Sequence, residues 1–119
     1  MVDIDRLERV LLQAAAEGHA LTYGQLLTFF GFRVTPIRVS ALCRDLGVAC
    51  RRVEARGGPD LACLVVRKCD GLPGEGYFTS LRADGRYDGP ATGPRAASFV
   101  RDRQDAAFAY AKAGRSAAE

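Results

Sequence analysis

The chain has 119 residues, of which 48% are hydrophobic and 8% aromatic, and its formal net charge is +3. That length fits one domain, and the hydrophobic content excludes a chain that is disordered throughout. No apolar run approaches the roughly 18 residues of a membrane span, and the acidic N-terminal segment lacks a signal-peptide pattern, so we expect a cytoplasmic protein without a membrane partner.

The first two predicted helices both begin at a capping residue. The first covers residues 3–17, where Asp3 supplies the N-cap and Gly18 provides the stop. The second begins at Thr22, whose spacing to Gln25 is that of a capping box, in which each side chain bonds the other residue's backbone. These signals predict two short helices in the first third of the chain.

A third helix is predicted over residues 36–46. Thr35 can cap it, and Pro36 suits the first helical position because the NH that proline lacks would be unpaired there. Gly47 follows the last apolar residue of the pattern and is interpreted as the stop.

Two strands are predicted after the third helix, over residues 48–55 and 61–68. The glycine- and proline-containing segment 56–60 between them is typical of a tight turn, so the pair reads as an antiparallel hairpin. Residues 69–93, rich in glycine and proline, are expected to be an irregular loop.

A last helix is predicted from Pro94 to about residue 113. Its aromatic residues are expected either to join the core or to form a dimer surface, and the sequence favours neither. We therefore expect one domain over residues 1–113, followed by a frayed tail at 114–119. The aromatic residues in question are Phe99, Phe108 and Tyr110.

The positive charge of the chain is concentrated between residues 33 and 68. This segment holds eight basic and three acidic residues, a net charge of +5, whereas residues 69–119 are neutral. The segment also has the predicted order helix, strand, turn, strand, and it follows two short helices. The sequence therefore predicts an α+β fold of the winged helix-turn-helix type: three helices, a basic two-stranded β-wing and a C-terminal helix.

The third helix carries the predicted recognition surface, because the second helix of a helix-turn-helix enters the major groove with its N-terminal side chains against base edges. Arg38 can read guanine with two hydrogen bonds, while basic wing residues would hold phosphates. Groups at the start of the second helix would also lie against phosphates. The predicted DNA-contacting residues are Thr22, Tyr23, Gln25, Arg33, Thr35, Arg38, Ser40, Arg44, Arg51, Arg52 and Arg56.

The cysteines do not have the spacing of a zinc site, which brings its ligands in close pairs. We therefore expect no metal and interpret the cysteines as small, reduced, buried thiols. The one histidine, His19, lies far upstream. The four cysteines are Cys43, Cys50, Cys63 and Cys69.

Nucleotide-binding and catalytic patterns are also missing from the sequence. The glycine-rich segment 69–76 has neither the Gly-Lys-Ser/Thr of a phosphate-binding loop nor a dinucleotide fingerprint. Carboxylates that might pair for catalysis lie in predicted turns, where they are expected to be solvated. We therefore predict no cofactor, no catalytic residue and no enzyme. The carboxylates are Asp60, Asp70, Glu75, Asp84 and Asp88.

Two segments of the chain have family resemblances. Thr22-Tyr23-Gly24-Gln25 followed by Pro36-x-x-Val39 resembles the helix-turn-helix of alkylguanine-DNA alkyltransferases and alkyltransferase-like proteins. That resemblance implies DNA binding from the minor groove, with Arg38, one position from the family's usual Pro-Arg, filling the place of a flipped nucleotide.

The reactive part of that family's pattern is not preserved. Cys63 precedes Asp70-Gly71 with the family's spacing, but Ala62-Cys63-Leu64-Val65-Val66 stands where the family has Pro-Cys-His-Arg-Val. Without the histidine that activates the thiol, alkyl transfer is not expected, and Cys63 is predicted to be a buried strand residue.

A second and closer resemblance covers most of the chain: residues 64–78 are similar to a group of small bacterial proteins that share a helix-turn-helix start. The similarity lies in Leu-Val-Val-Arg-Lys-x-Asp-Gly-Leu-Pro-Gly-Glu-Gly-Tyr-Phe, with a helix containing Phe108-Ala109-Tyr110 downstream. This resemblance implies one intact bacterial domain and no particular activity.

The expected function is double-stranded DNA binding by a small transcriptional regulator, which would dimerise to match two-fold half-sites. Two alternatives remain open at this point. One is a non-catalytic DNA-damage binder of the alkyltransferase-like kind, which would depend on Arg38 and Tyr23. The other is a protein-binding adaptor, in which the arginines meet acidic side chains of a partner.

Overall fold

The computed structural model describes residues 3–118, with side chains as far as residue 114, and within them five α-helices and one pair of short strands. The helices are α1 (Ile4–Glu17), α2 (Tyr23–Phe29), α3 (Pro36–Ala55), α4 (Glu75–Ala83) and α5 (Pro94–Ala118). The strands are β1 (Leu21–Thr22) and β2 (Val65–Val66), with a 3-10 turn at Ala62–Leu64 before β2. The fold is therefore α+β and mostly helical.

The starts of α1 and α2 confirm the capping predictions. The Asp3 carboxylate accepts hydrogen bonds from the backbone NH groups of Asp5 and Arg6. Gly18 ends α1 in the left-handed conformation with φ 77°. At α2, the Thr22 hydroxyl accepts from the Gln25 NH at 3.0 Å and the Gln25 side chain accepts from the Thr22 NH at 2.9 Å. Both halves of the capping box are present.

Helix α3 begins where the sequence predicts but is much longer. Thr35 caps it and Pro36 opens it, yet it continues through Gly47 to Ala55 over 20 residues. The predicted strand at 48–55 is therefore wrong. A glycine inside a helix costs about 1 kcal/mol, whereas each fully buried leucine or valine side chain contributes about 2 kcal/mol, so core packing prevails over the stop signal.

The apolar spacing of the same segment explains why it is helical. Leu46, Cys50 and Val53 are all buried, and at i, i+4 and i+7 they lie on one face of a helix. In a strand, residues 50 and 53 would point to opposite faces, and one of them would be exposed. Only the helix buries all three.

The predicted antiparallel wing is not formed, because its first strand belongs to α3. Of the second predicted strand, 61–68, only Val65–Val66 is extended, and it pairs in parallel with β1, Leu21 opposite Val65 and Thr22 opposite Val66. Both valines are buried, as residues of a parallel pair covered on two faces usually are.

The predicted irregular region at 69–93 contains helix α4. Phe78 and Leu81, three residues apart, are buried and hold this helix against the core. Its N-cap, Gly74, makes no side-chain capping bond, so the sequence carries no start signal there. Tyr87, beyond the helix, is also buried, with its ring centroid 4.4 Å from that of Phe99.

Helix α5 starts at Pro94 as predicted and packs along α1, contributing Val100 and Ala107 to the same core. Phe99 and Phe108 pack against this core, while Tyr110 is 44% exposed. The apolar side of α5 is thus used largely within the chain. The helix continues to Ala118, past the predicted end at 113, and the last residue of the predicted frayed tail, Glu119, lies outside the described residues.

The packing of the helices makes one hydrophobic core, with buried residues from every helix. The radius of gyration is 13.7 Å, near the roughly 13.5 Å of a compact domain of this length. Within residues 3–118, none of the helices combines the length and the hydropathy needed to cross a bilayer.

Candidate nucleic-acid interface and adjoining groove

Helices α2 and α3 follow one another in the chain and pack together, and their connection, residues 30–35, is held from both ends. The Phe32 NH donates to the Leu27 carbonyl at 2.9 Å, which closes the end of α2. The Thr35 hydroxyl accepts from the Arg38 NH at 3.2 Å, which fixes the start of α3. The first turn of α3 is therefore presented to solvent in a defined orientation, with Ile37 81% exposed.

The arginines of the described residues fall into two sets, according to whether a carboxylate lies within ion-pair distance. Several have such a partner, and most of those partners come from another part of the chain. The ion-paired arginines are Arg52, Arg56, Arg67, Arg86, Arg95 and Arg103.

Two of the predicted DNA contacts, Arg52 and Arg56, belong to the paired set and are not on a wing. Arg52 lies on α3 and its Nη2 donates to Asp5 at 2.5 Å, while Arg56 donates to Glu8. The Glu8 side chain is only 11% exposed, and its hydrogen bond raises the pKa of Arg56. These two arginines join α3 to α1, so the prediction that they grip DNA from a wing is wrong.

The other arginines between residues 33 and 51 make no ion pair with any carboxylate among the described side chains, and we call them the open arginines. All of them are exposed. Ser40, also exposed, lies four residues before Arg44 and eleven before Arg51, so the three share one face of α3. The open arginines are Arg33, Arg38, Arg44 and Arg51.

Arg38 differs from the rest of this set because its guanidinium lies over the ring of Phe32, 4.6 Å from the ring centroid. This contact holds the side chain beside the turn between α2 and α3. Arg33 and Arg38 thus lie beside the start of α3, whereas Ser40, two residues after Arg38, points about 200° away from it, on the face that also carries Arg44.

The side chains predicted to contact DNA at the start of α2 are engaged in hydrogen bonds within the chain. Thr22 and Gln25 use their side chains in the capping box. The Tyr23 hydroxyl accepts from the Gly74 NH at 3.0 Å, and burial raises the pKa of Tyr23. Thr35 likewise uses its hydroxyl as a helix cap. These four residues position the helices and are not grouped with the open arginines.

A groove with a volume of about 670 Å³ lies beside the open arginines, between α3 and α4. Arg44 and Arg51 line it from α3, and Ser80 lines it from α4. Its inner surface includes Leu46 and Leu81, both nearly inaccessible to solvent. The sequence offered no sign of this groove, because α4 was read as a loop.

At the floor of the groove, Asp60 is the centre of a polar network. Its side chain is 8% exposed, accepts from the Tyr77 hydroxyl at 2.6 Å and from the Ala62 NH at 2.9 Å, and lies 3.5 Å from Arg103. Burial is the main reason that the pKa of Tyr77 is raised. The expectation of a solvated Asp60 is wrong, because its buried carboxylate interacts with groups from α4, from α5 and from the 3-10 turn.

The cysteines divide equally between the core and the surface, so the prediction of buried thiols is correct for Cys50 and Cys63 and wrong for Cys43 and Cys69. Burial raises the pKa of Cys50 to about 12 and raises that of Cys63 as well. The Cys63 thiol donates to the Asp60 carbonyl at 3.2 Å from a 3-10 turn and not from a strand. Both buried thiols are held in their unreactive protonated form.

Comparison with family models, curated proteins and solved structures gave no match to this chain. Both family resemblances of the sequence therefore stay predictions, and the function is argued from the arrangement of side chains alone.

Proposed function

We propose that this protein binds double-stranded DNA through the exposed start of α3 and acts as a small bacterial transcriptional regulator in the cytoplasm. The observation that carries the proposal is the segregation of the arginines. The open arginines lie on or beside α3, the second helix of the proposed helix-turn-helix, while Arg52 and Arg56 are neutralised by α1.

The geometry of α3 suits insertion into the major groove. The helix has 20 residues and is therefore about 30 Å long, and its capped first turn stands clear of the core. A major groove about 12 Å wide admits one α-helix, whose first residues meet base edges. Arg38 would contact bases, Ile37 would meet thymine methyl groups, and Arg33 and Arg44 would hold phosphates.

The stacking of Arg38 on Phe32 does not prevent this role. An exposed cation–π contact is worth about 0.5–1 kcal/mol, whereas a bidentate arginine–guanine pair discriminates by about 1–3 kcal/mol. The side chain gains by leaving the ring for a base. Until then the ring limits its freedom, which lowers the entropy lost on binding.

Because the antiparallel wing is not formed, one chain would contact DNA through a single recognition helix. We infer that two copies would bind together, since a dimer doubles the phosphate contacts and matches two-fold half-sites. Tyr110, 44% exposed on α5, is the aromatic residue of that helix least covered by its own core. Light scattering in solution tests whether the protein is a dimer. Contacts between the α5 helices of two copies are the first to examine.

A second candidate function, a protein-binding adaptor, is favoured by exposed apolar side chains beside the open arginines. Phe29, Val34 and Ile37 are 56%, 57% and 81% exposed, and all lie around the connection between α2 and α3. The damage-binding alternative is less favoured, because the Tyr23 hydroxyl that it needs is engaged with Gly74.

The deciding experiment is fluorescence anisotropy with a random duplex, with duplexes from around the protein's own gene and with a duplex carrying an alkylated guanine. We expect salt-sensitive binding that prefers one natural duplex, and Arg38→Ala should remove that preference while leaving random-duplex affinity nearly unchanged. Arg101→Gln, on the exposed side of α5, is the matched control.

The other outcomes identify the alternatives. Preference for the alkylated duplex over every natural sequence would indicate the damage binder. Absence of binding to any duplex at low salt would refute DNA binding and leave the adaptor. An Arg38→Ala protein that keeps its full preference among natural duplexes would refute the role given to the recognition helix.

A further inference from the structure

The groove between α3 and α4 has the dimensions of a small-molecule site. Its volume of about 670 Å³ lies within the roughly 300–1,000 Å³ that is typical of ligand pockets. It is walled by two helices that are both anchored in the core, α3 through Leu46 and α4 through Phe78 and Leu81. The walls are therefore preformed.

The inner surface of the groove is apolar and suits the body of an organic molecule. Leu46, Cys50 and Leu81 line it, together with the ring of Tyr77. The Tyr77 hydroxyl is already committed as a donor to Asp60 at 2.6 Å, so its ring contributes mainly apolar surface.

The acidic residues of the groove are only partly neutralised by their own partners. Glu54 lies 3.6 Å from Arg86, which also pairs with Asp84 at 2.7 Å. Asp60 lies 3.5 Å from Arg103 and accepts two further hydrogen bonds. Arg86 therefore neutralises one of its two acidic neighbours, and a small negative excess remains at that end of the groove.

The α3 wall of the groove carries uncompensated positive charge, ahead of Glu54 on the same helix. Arg44 and Arg51 line it, and neither is ion-paired with a carboxylate among the described side chains. They are seven residues apart, which places them two turns apart on one side of α3. Two guanidinium groups of this kind form charge-assisted, bidentate hydrogen bonds with a carboxylate.

We propose that this groove binds a small organic carboxylate, whose apolar body lies against Leu46, Leu81 and the Tyr77 ring and whose carboxylate is held by Arg44 and Arg51. A neutral molecule of the same shape would leave both arginines uncompensated and would bind more weakly. The ligand class is thus an aromatic or medium-chain aliphatic monocarboxylate.

Ligand binding in the groove would also regulate DNA binding. This regulation rests on the proposed function, whereas ligand binding does not. Arg44 is assigned both to a DNA phosphate and to the ligand carboxylate, so occupation of one site disfavours the other. By linkage, the ligand lowers DNA affinity by the same factor by which DNA lowers ligand affinity.

The test is an amide-resolved NMR titration of the full chain, without DNA, using phenylbutyrate, octanoate and indoleacetate, each beside its neutral amide. We expect at least one carboxylate to give saturable shifts at Gly47, Gly76 and Ser80, with an affinity at least fivefold above that of its amide. Arg44→Gln with Arg51→Gln should weaken that binding at least fivefold, while Arg101→Gln leaves it unchanged. Ser80→Phe, at an exposed position of α4, should fill the groove and abolish it.

The proposal is overturned if none of the carboxylates gives saturable shifts at these residues, or if acid and amide bind equally well. It is also overturned if the paired arginine substitutions leave the affinity unchanged in a protein whose amide spectrum shows it to be folded. Because DNA is absent, failure here is distinct from failure of the DNA-binding proposal, and a saturating carboxylate that leaves DNA affinity unchanged would refute only the linkage.

Discussion

Arg51 and Arg52 are neighbours in the sequence, yet they have different surroundings in the structure. Arg51 faces the groove and is one of the open arginines, whereas Arg52 donates to Asp5 on α1. Consecutive residues of a helix point about 100° apart, so a run of basic residues is divided between two faces. The comparison teaches that helical phase, and not charge density along the chain, decides which cations are available to a partner.

The same division applies to the whole basic segment. On one side, the open arginines are free to neutralise an anion that comes from outside the chain. On the other, Arg52 and Arg56 are held by carboxylates and contribute to the attachment of α3 to α1. We therefore expect substitutions in the first set to change binding and substitutions in the second to change stability.

The largest expected effect is the loss of DNA binding when all four open arginines become glutamine. Affinity should fall at least 100-fold at moderate salt, because Arg33 and Arg44 of two bound copies make four phosphate contacts, which contribute a salt slope of about −3.6. The melting temperature should change little, since none of the four has an ion-paired partner to lose. Anisotropy and thermal unfolding measure the two effects on the same preparation.

The control for that variant is Arg52→Gln with Arg56→Gln, which removes two positive charges that are ion-paired with carboxylates of α1. It should retain DNA affinity within about threefold, because these residues are not at the predicted interface. A loss of affinity equal to that of the fourfold variant would remove the distinction between the two sets.

Asp60→Asn is expected to have the largest effect on stability. The substitution leaves Arg103 without its counter-charge and weakens the bond from Tyr77, at a cost of about 2 kcal/mol in the free energy of unfolding. Urea denaturation measures that cost. Asp88→Asn breaks an ion pair whose carboxylate is 92% exposed and should cost little by comparison. Equal costs would show that Asp60 is not a buried centre of the network.

Glu8→Gln tests the same division of the arginines by removing the charge of a carboxylate that holds the paired ones. Glu8 lies within ion-pair distance of both Arg52 and Arg56, at 4.0 Å from Arg52 and hydrogen-bonded to Arg56. We expect the free energy of unfolding to fall by about 1.5 kcal/mol, with no loss of DNA affinity. Asp105→Asn, at an exposed position of α5, is the matched control. A weakened DNA affinity would place Glu8 at the interface, against the present account.

The smallest expected effect is that of Thr35→Ala, which removes the N-cap of α3. Loss of the hydrogen bond from the Arg38 NH should cost about 1 kcal/mol of stability. Thr35→Ser keeps the hydroxyl and should restore most of it. If Thr35→Ala lowers DNA affinity without any change in stability, the hydroxyl contacts DNA directly and is not simply a cap.

The caps were the most predictable part of the fold, because they depend on residues close together in sequence. Asp3, Thr22 with Gln25, and Thr35 with Pro36 each marked a helix start that the structure confirms. The end of α3 was not predictable from Gly47 alone, because the burial of Leu46, Cys50 and Val53 overrides a local stop signal.

The candidate site was predictable only in part. The starts of α2 and α3 followed from local patterns, but the pairing of Arg52 and Arg56 depends on how α1 packs against α3. The network at the groove floor joins Asp60 to Tyr77 and Arg103, from three separate elements. No spacing in the sequence indicates that these side chains meet.

The measurement that tests the central claim most directly is the salt dependence of duplex binding by the unmodified protein. Four phosphate contacts, from Arg33 and Arg44 of two bound copies, predict a slope of about −3.6 in the logarithm of affinity against the logarithm of salt concentration, a loss of roughly 100-fold between about 50 and about 200 mM salt. The fourfold glutamine variant should lose most of that slope, and Arg52→Gln with Arg56→Gln should keep it. Duplex binding that is undetectable even at low salt, or a slope that is unchanged in the fourfold variant, would contradict the account.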